Sequence, residues 1–80
     1  MSLGSTLRFA RERKKLTRQE LADLSGVNVN SIAKYERAGE RNGQFPPLPI
    51  LARFAMLLGL SLEKIFTEVA DDDDVRKYFE

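Results

Sequence analysis

Side chains that could do covalent or metal chemistry are scarce in this 80-residue chain. It contains no Cys and no His, which excludes disulfides, thiolate metal sites and the commonest general base at neutral pH. The remaining carboxylates, lysines and hydroxyls fall in no recognisable catalytic motif, and there is no glycine-rich phosphate loop. The aspartate run from Asp71 to Asp74 lacks the alternating spacing and the glycine of a calcium loop. We therefore predict a protein that is not an enzyme and that uses no metal or cofactor.

Binding is the chemistry that the charged side chains favour. The 13 Lys and Arg residues nearly cancel the 12 Asp and Glu residues, but the two sets are unevenly placed. Residues 1–37 hold eight basic and four acidic side chains, whereas residues 38–80 hold five basic and eight acidic ones. A basic body with an acidic tail indicates a polyanion as the partner of the body.

The most informative spacing surrounds Gly26. Thr17 and Glu20 are placed as in a capping box that starts one helix, and Gly26 ends that helix. Ile32 and Tyr35 follow six and nine residues after Gly26, so they share the inner face of a second helix. This arrangement is typical of a DNA-binding helix-turn-helix, whose second helix enters the major groove. We therefore expect the segment 28–38 to be a recognition helix.

The remaining periodic segments predict helices and no strand. One helix precedes the turn, over about residues 5–15, a fourth covers residues 48–58, and Ser61 caps a short fifth. Apolar residues of the fourth helix recur at three- and four-residue spacing and predict a core-facing stripe, which consists of Leu48, Leu51, Ala52, Ala55 and Leu58.

Two interpretations of the C-terminal residues stay open. The composition of residues 68–80 favours a solvated acidic tail. Alternatively, the aspartates begin a short sixth helix in which Val75, Tyr78 and Phe79 share one face.

We predict an all-α fold, a compact five-helix bundle that contains the helix-turn-helix, over residues 5–67. Residues 1–4 are expected to be an N-terminal extension or a remnant of cloning, and residues 68–80 an acidic tail. The apolar stretch at 48–62 is interrupted and falls short of the roughly 20 residues that a membrane-spanning helix needs. Without a signal peptide either, a cytoplasmic protein with no membrane partner is expected.

Three motifs in order resemble the helix-turn-helix family of the Xre/Cro/phage-repressor type. They are LRxxRxxxxLTxxELAxxSGV from Leu7 to Val27, IxxYERxG from Ile32 to Gly39, and LxxLxxxAxxLGLSLEKIF from Leu48 to Phe66. The chain departs from the usual pattern by about four extra residues between Glu36 and Leu48, and by Ala38 where Gly is commoner. The resemblance implies a lambda-repressor-like DNA-binding domain that regulates transcription.

The resemblance also implies which residues read bases. Val29, Asn30 and Lys34 match the base-reading positions of phage repressors. The chemistry suits this role, since Asn pairs with adenine, Lys donates to guanine, and an apolar side chain contacts the thymine methyl group. The alternative is that Val29 packs under the first turn of the helix and that Lys34 is a solvated lysine.

Phosphate contacts are expected from polar side chains around the two helix starts and from nearby cations. Arg18 stands where the family usually carries a Gln that bonds the DNA backbone, and an Arg adds charge to that contact. The expected phosphate-contacting residues are Thr17, Arg18, Asn28, Ser31, Arg37 and Arg41.

A structural ion pair and a dimer complete the expectations. The family resemblance implies a partly buried salt bridge between Arg11 and Glu36. A buried carboxylate without a partner would cost free energy, so this pair is expected to be structural. Such modules usually dimerise on near-palindromic sites. The exposed apolar residues expected to form a homodimer contact are Ile50, Phe54, Met56, Leu57 and Leu60. The competing function is an antitoxin or co-regulator that acts through protein contacts, with the acidic tail binding the partner protein.

Overall fold

Short helices build the part of the chain that this computed structural model describes, residues 2–69 and 72–79. The first three helices are α1 (Leu3–Arg13), α2 (Arg18–Ser25) and α3 (Val29–Tyr35). The others are α4 (Leu48–Leu58), α5 (Leu62–Lys64), which continues as a π-helical segment (Ile65–Val69), and α6 (Asp72–Phe79). Neither described range contains a strand, so the predicted all-α class is confirmed. The radius of gyration of 11.5 Å matches the roughly 12 Å of a compact domain of this length.

Helix α1 begins two residues earlier than predicted. The Oγ of Ser2 accepts a hydrogen bond from the backbone N–H of Ser5 at 3.1 Å, so Ser2 is the cap. Leu3 is fully buried, and the N–H of Gly4 donates to the carbonyl of Ala38 at 3.0 Å. A Cβ on residue 4 would meet the carbonyl oxygen of Glu36. Residues 3 and 4 therefore belong to the packed helix, and the predicted start at residue 5 is wrong.

Helix α3 ends earlier than the predicted segment, which extends to about residue 38. Asn28 caps its start as expected, but the last regular helical residue is Tyr35. The N–H groups of Arg37 and Ala38 donate to carbonyls three residues back, at 3.0 Å each, instead of four. This tighter turn ends the α-helix and places Ala38, fully buried, beneath the start of α1.

Helix α4 has the predicted bounds but not the predicted apolar face. Its buried residues are Leu51, Phe54, Ala55 and Leu58, whereas Leu48 is 37% exposed and Ala52 is half-buried. At 100° per residue, Phe54 lies nearer than Ala52 to the line that joins Leu51 and Leu58. The Phe54 ring meets Tyr35 edge-on, with centroids 6.2 Å apart, so the fourth helix packs directly against α3.

The C-terminal residues form a docked helix over 72–79, as the second of the two interpretations predicts. The Tyr78 ring packs edge-on against Phe45 and Phe66, at centroid distances of 6.2 and 5.4 Å. Phe79 lies 5.1 Å from Phe66, and the Lys77 Nζ lies 4.0 Å above the Phe45 ring. We call the rings of Phe45, Phe66, Tyr78 and Phe79 the aromatic cluster. Asp71, the first residue of the aspartate run, lies outside the described residues.

One polar atom in the aromatic cluster is unsatisfied. The hydroxyl of Tyr78 is buried and has no hydrogen-bond partner within the described ranges. Burial raises the pKa of the Tyr78 hydroxyl, and the nearby Asp74 carboxylate adds to the shift. A buried hydroxyl without a partner costs free energy, so it weakens the docking of α6.

We predict that Tyr78→Phe raises the free energy of unfolding by about 1 kcal/mol, because it removes an unsatisfied polar group and keeps the ring. Because burial raises the folded-state pKa of Tyr78, ionisation of this residue leaves stability unchanged below a pH of about 10 and lowers it as the pH rises further. Urea unfolding followed by circular dichroism at pH 7 and pH 11 measures both effects. Since Tyr35 is present in both proteins, the difference between the two profiles isolates Tyr78. A less stable Tyr78→Phe protein would show that the hydroxyl has a partner.

Candidate nucleic-acid interface

The turn between α2 and α3 is built as the sequence predicts. The Oγ1 of Thr17 accepts from the N–H of Glu20 at 3.0 Å, and the Glu20 carboxylate accepts from the N–H of Thr17 at 2.9 Å. Gly26 adopts a left-handed φ of +73°, and its N–H donates to the carbonyl of Ala22 at 2.9 Å. Glycine adopts a left-handed φ without steric cost, so α2 ends at this residue and α3 begins after a connection of only three residues. These are the two helices of a helix-turn-helix.

Helix α3 has one face in the core and one in solvent. Ile32 and Tyr35 are buried at 1% and 6% exposure, which fixes the inner face. Asn30 and Lys34 are exposed and lie four residues apart, and Ala33 between them is half-buried. Positions four residues apart are neighbours on a helix surface. The structure therefore brings Asn30 and Lys34 together on the exposed face of α3.

Val29 and Asn28 are engaged in contacts within the protein, unlike the exposed Asn30 and Lys34 side chains described above. Val29 is half-buried and packs against the core, as the packing alternative expects. The Oδ1 of Asn28 accepts from the N–H of Asn30 at 2.8 Å, so this oxygen serves as the cap of α3. Asn28 is nevertheless exposed, and so is Thr17, while Ser31 is half-buried.

A buried carboxylate joins the first three helices. Glu36, 5% exposed, accepts two hydrogen bonds from Arg11, at 2.6 Å from Nε to Oε2 and 3.2 Å from Nη2 to Oε1. The predicted salt bridge is therefore confirmed. The Nη1 of Arg11 also donates to the carbonyl of Leu16 at 2.8 Å, beyond the end of α1. The hydrogen bond to Glu36 raises the pKa of the Arg11 guanidinium despite its desolvation. We call Arg11, Arg18 and Glu36 the Glu36 cluster.

Arg18 is the third member of the Glu36 cluster and was predicted only as a phosphate contact. Its Nε donates to Glu36 Oε1 at 3.0 Å, while its side chain remains 44% exposed. The sequence signal for this second role was an Arg in place of the usual Gln, which the family resemblance and the added charge had both indicated as a phosphate contact. Arg11 by contrast is largely buried, with a side chain 11% exposed.

The long loop after α3 folds back on this helix. The N–H of Gln44 donates to the carbonyl of Lys34 at 3.1 Å, and Pro46 is fully buried. A Cβ at Gly43 would meet the carbonyl oxygen of Arg37, so this part of the loop lies against the end of α3. Arg37 and Arg41 are both exposed, on the turn and on the loop that follow α3.

Arg53 has a structural role that sequence reasoning missed. Its Nη1 donates to the carbonyl of Ser25 at 2.7 Å, which ties α4 to the C-terminus of α2. A cation at a helix C-terminus satisfies a free carbonyl and complements the helix dipole. The only signal was a single charged residue inside the apolar fourth helix.

The expected dimer residues do not form one exposed set. Phe54 is 1% exposed and packs on Tyr35, so its assignment to a dimer contact is wrong: the residue fills the core. Met56 is 85% exposed, whereas the other three are half-buried, namely Ile50, Leu57 and Leu60.

Comparison with known protein families identifies the class of protein. A helix-turn-helix domain model matches residues 2–65, which is most of the chain, so the chain belongs to the helix-turn-helix domain family. Domains of this kind bind DNA and are typically not catalysts. Helix α6 lies beyond the matched residues. No curated protein and no solved structure matches the chain. Within residues 2–69 and 72–79, every helix is too short or too polar to cross a membrane.

We predict that Arg11→Ala lowers the free energy of unfolding by about 3 kcal/mol, because it removes the main partner of a buried carboxylate. Arg8→Ala is the matched control, since Arg8 lies on the same helix and pairs with Glu12 at 3.5 Å with both side chains more than half exposed. Such an exposed pair contributes about 0.5 kcal/mol or less. Chemical unfolding of both variants measures the difference. Equal losses would contradict a special role for the Glu36 cluster.

Proposed function

We propose that the protein is a sequence-specific duplex-DNA-binding transcriptional regulator of the Xre/Cro/phage-repressor type, with α3 in the major groove. The observation that carries this proposal is the division of α3 into a face locked into the core and an exposed face with Asn30 and Lys34. A helix whose inner face is fixed in the core can hold the donors of its outer face in a defined position relative to the base edges. A DNA-bound regulator of this kind would act in the cytoplasm, on the nucleoid.

Asn30 and Lys34 are the proposed base-reading residues. An amide and an ammonium on neighbouring positions of one helix face suit an adenine and a guanine at nearby base pairs, because Asn pairs with adenine and Lys donates to guanine. Val29 contributes a smaller contact, since it is partly engaged with the core. Its exposed part is offered to a thymine methyl group.

The proposed phosphate contacts surround this face. Cations supply most of the affinity for DNA and position the recognition helix without reading sequence. Arg18 opens α2, and Arg37 and Arg41 follow α3; all three are exposed. The polar residues of the two helix starts complete the set, which adds Thr17, Asn28 and Ser31.

A homodimer is proposed on physical grounds. One recognition helix contacts only a few base pairs, so two copies on half-sites about one helical turn apart would supply the specificity. Met56 is the most exposed large apolar residue of the chain's described part, at 85%. It lies on the solvent side of α4, and Leu57 and Leu60 are half-buried nearby in sequence.

Selection of bound sequences from a random duplex library tests the proposed base readout. We expect Asn30→Ala and Lys34→Ala each to cost about 1–3 kcal/mol on the selected duplex and to relax preference at one base pair. Arg8→Ala is the control for Lys34→Ala, because it removes one exposed positive charge from a different helix. A uniform loss of affinity across all sequences would make both residues phosphate contacts instead. No duplex binding at low salt would overturn the proposed function and favour the protein-binding alternative.

Sedimentation of the protein with a two-half-site duplex tests the dimer. We expect two chains per duplex, and Met56→Glu to weaken binding to two half-sites while leaving binding to one half-site unchanged. The folded chain tolerates this change because the side chain is 85% exposed. Met56→Leu is the matched control, since it keeps an apolar side chain of similar size. One chain per duplex would contradict the dimer.

A further inference from the structure

Arg18 connects the two helices of the helix-turn-helix through its side chain. It is the first residue of α2, and its Nε donates to the carboxylate of Glu36, the cap of α3, at 3.0 Å. One guanidinium therefore links the start of α2 to the end of α3.

The Glu36 carboxylate does not need Arg18 for its neutralisation. Arg11 already forms two hydrogen bonds to both oxygens of Glu36, and these two side chains are 11% and 3% exposed. Two guanidinium groups share one carboxylate, so the Glu36 cluster carries an excess positive charge. Arg18 is the exposed cation of the two, at 44% of its side chain, and therefore brings that excess charge to the surface.

The hydrogen bond to Glu36 uses only a small part of the donor capacity of the Arg18 guanidinium. A guanidinium has five N–H donors in a rigid plane, and the Nε bond to Glu36 engages one of them. Because the plane is rigid, fixing Nε also restricts the directions of the terminal N–H groups. An oxyanion with two oxygens is the ligand that such a planar fork matches. Holding a long side chain before binding removes part of the entropy cost of ordering it in the complex.

We propose that Glu36 is a positioning residue for DNA binding, which holds Arg18 in place to form a paired hydrogen bond with one backbone phosphate at the start of α2. This inference rests on the proposed function and adds a mechanism to it. The same carboxylate thereby fixes the recognition helix through Arg11 and sets the phosphate anchor of the preceding helix through Arg18.

A double-mutant cycle on the selected duplex, measured over a range of salt concentrations, tests this proposal. We expect Arg18→Gln to weaken binding about tenfold, because a charged hydrogen bond is lost. It should also reduce the log–log salt slope by about 0.9, the value for one phosphate contact. Arg18→Lys is the matched control for charge. It should keep most of the slope but lose affinity, since an ammonium lacks the planar fork.

Glu36→Gln completes the cycle. In the Arg18 protein it should weaken binding more than in the Arg18→Gln protein, because the part of its contribution that passes through Arg18 is present only in the first, whereas the part that passes through Arg11 is lost in both. Thermal unfolding of each variant sets a temperature at which all are folded. If Glu36→Gln is unfolded at every usable temperature, the Arg18→Lys comparison and the NMR signal of the Arg18 Nε–Hε group decide. That signal should be protected and rigid in the free protein and change little on binding DNA.

Three results have distinct meanings. If Glu36→Gln weakens binding equally with and without Arg18, Glu36 acts through the fold alone and the inference is overturned. If it strengthens binding only when Arg18 is present, Glu36 sequesters Arg18, which also overturns the inference. If the Arg18 Nε–Hε group is mobile in the free protein, preorganisation is excluded. Each of these leaves the proposed function standing, whereas failure of the unmodified chain to bind any duplex removes the proposed function itself.

Discussion

The carboxylate of Glu36 is buried at the end of α3 and accepts hydrogen bonds from arginines of two other helices. A charge at 5% exposure is tolerated only with such partners, so the positions of α1, α2 and α3 depend on one another. The contribution of the Glu36 cluster is geometric as well as energetic. An apolar contact tolerates sliding, whereas a planar guanidinium bonded to both oxygens of a carboxylate allows little rotation or shift.

This constraint holds α3 in a fixed position. Short helices are marginal in isolation, and α3 has only seven residues. It is held by Ile32 and Tyr35 in the core, by the Asn28 cap at its start and by Glu36 at its end. The returning loop adds a hydrogen bond from Gln44 to the carbonyl of Lys34. The exposed face can therefore be polar without destabilising the helix, since stability comes from the other side.

Helix α6 adds a layer that the helix-turn-helix family match does not cover. Its Tyr78 ring contacts Phe45 of the loop and Phe66 of the segment after α5, so α6 stabilises the position of the loop that follows α3. This stabilisation is limited by the buried Tyr78 hydroxyl, which has no partner within the described ranges. Burial of the Tyr78 ring stabilises this contact, and burial of its hydroxyl without a partner offsets part of that stabilisation.

Local chemistry in the sequence was enough to predict most helix ends and the candidate interface. The Thr17–Glu20 capping box, the left-handed glycines at 26 and 59, and the caps at Asn28 and Ser61 depend on residues close in the chain. The exposure of Asn30 and Lys34 follows from helical periodicity once Ile32 and Tyr35 are placed inside. The roles of the base and phosphate contacts stay predictions. Periodicity places Glu36 on the inner face of its helix, whereas only the family resemblance indicated Arg11 as its partner.

Only the tertiary structure decided the features that join distant segments. Phe54 belongs to the core rather than to a dimer contact because the Tyr35 ring, nineteen residues earlier, lies against it. Arg18 bonds to Glu36, Arg53 caps α2, and α6 docks on Phe45 and Phe66, each across at least twelve residues. A pattern with a period of 3.6 residues shows which side of a helix faces inward. It carries no information on which other helix that side meets, since that depends on how the whole chain packs.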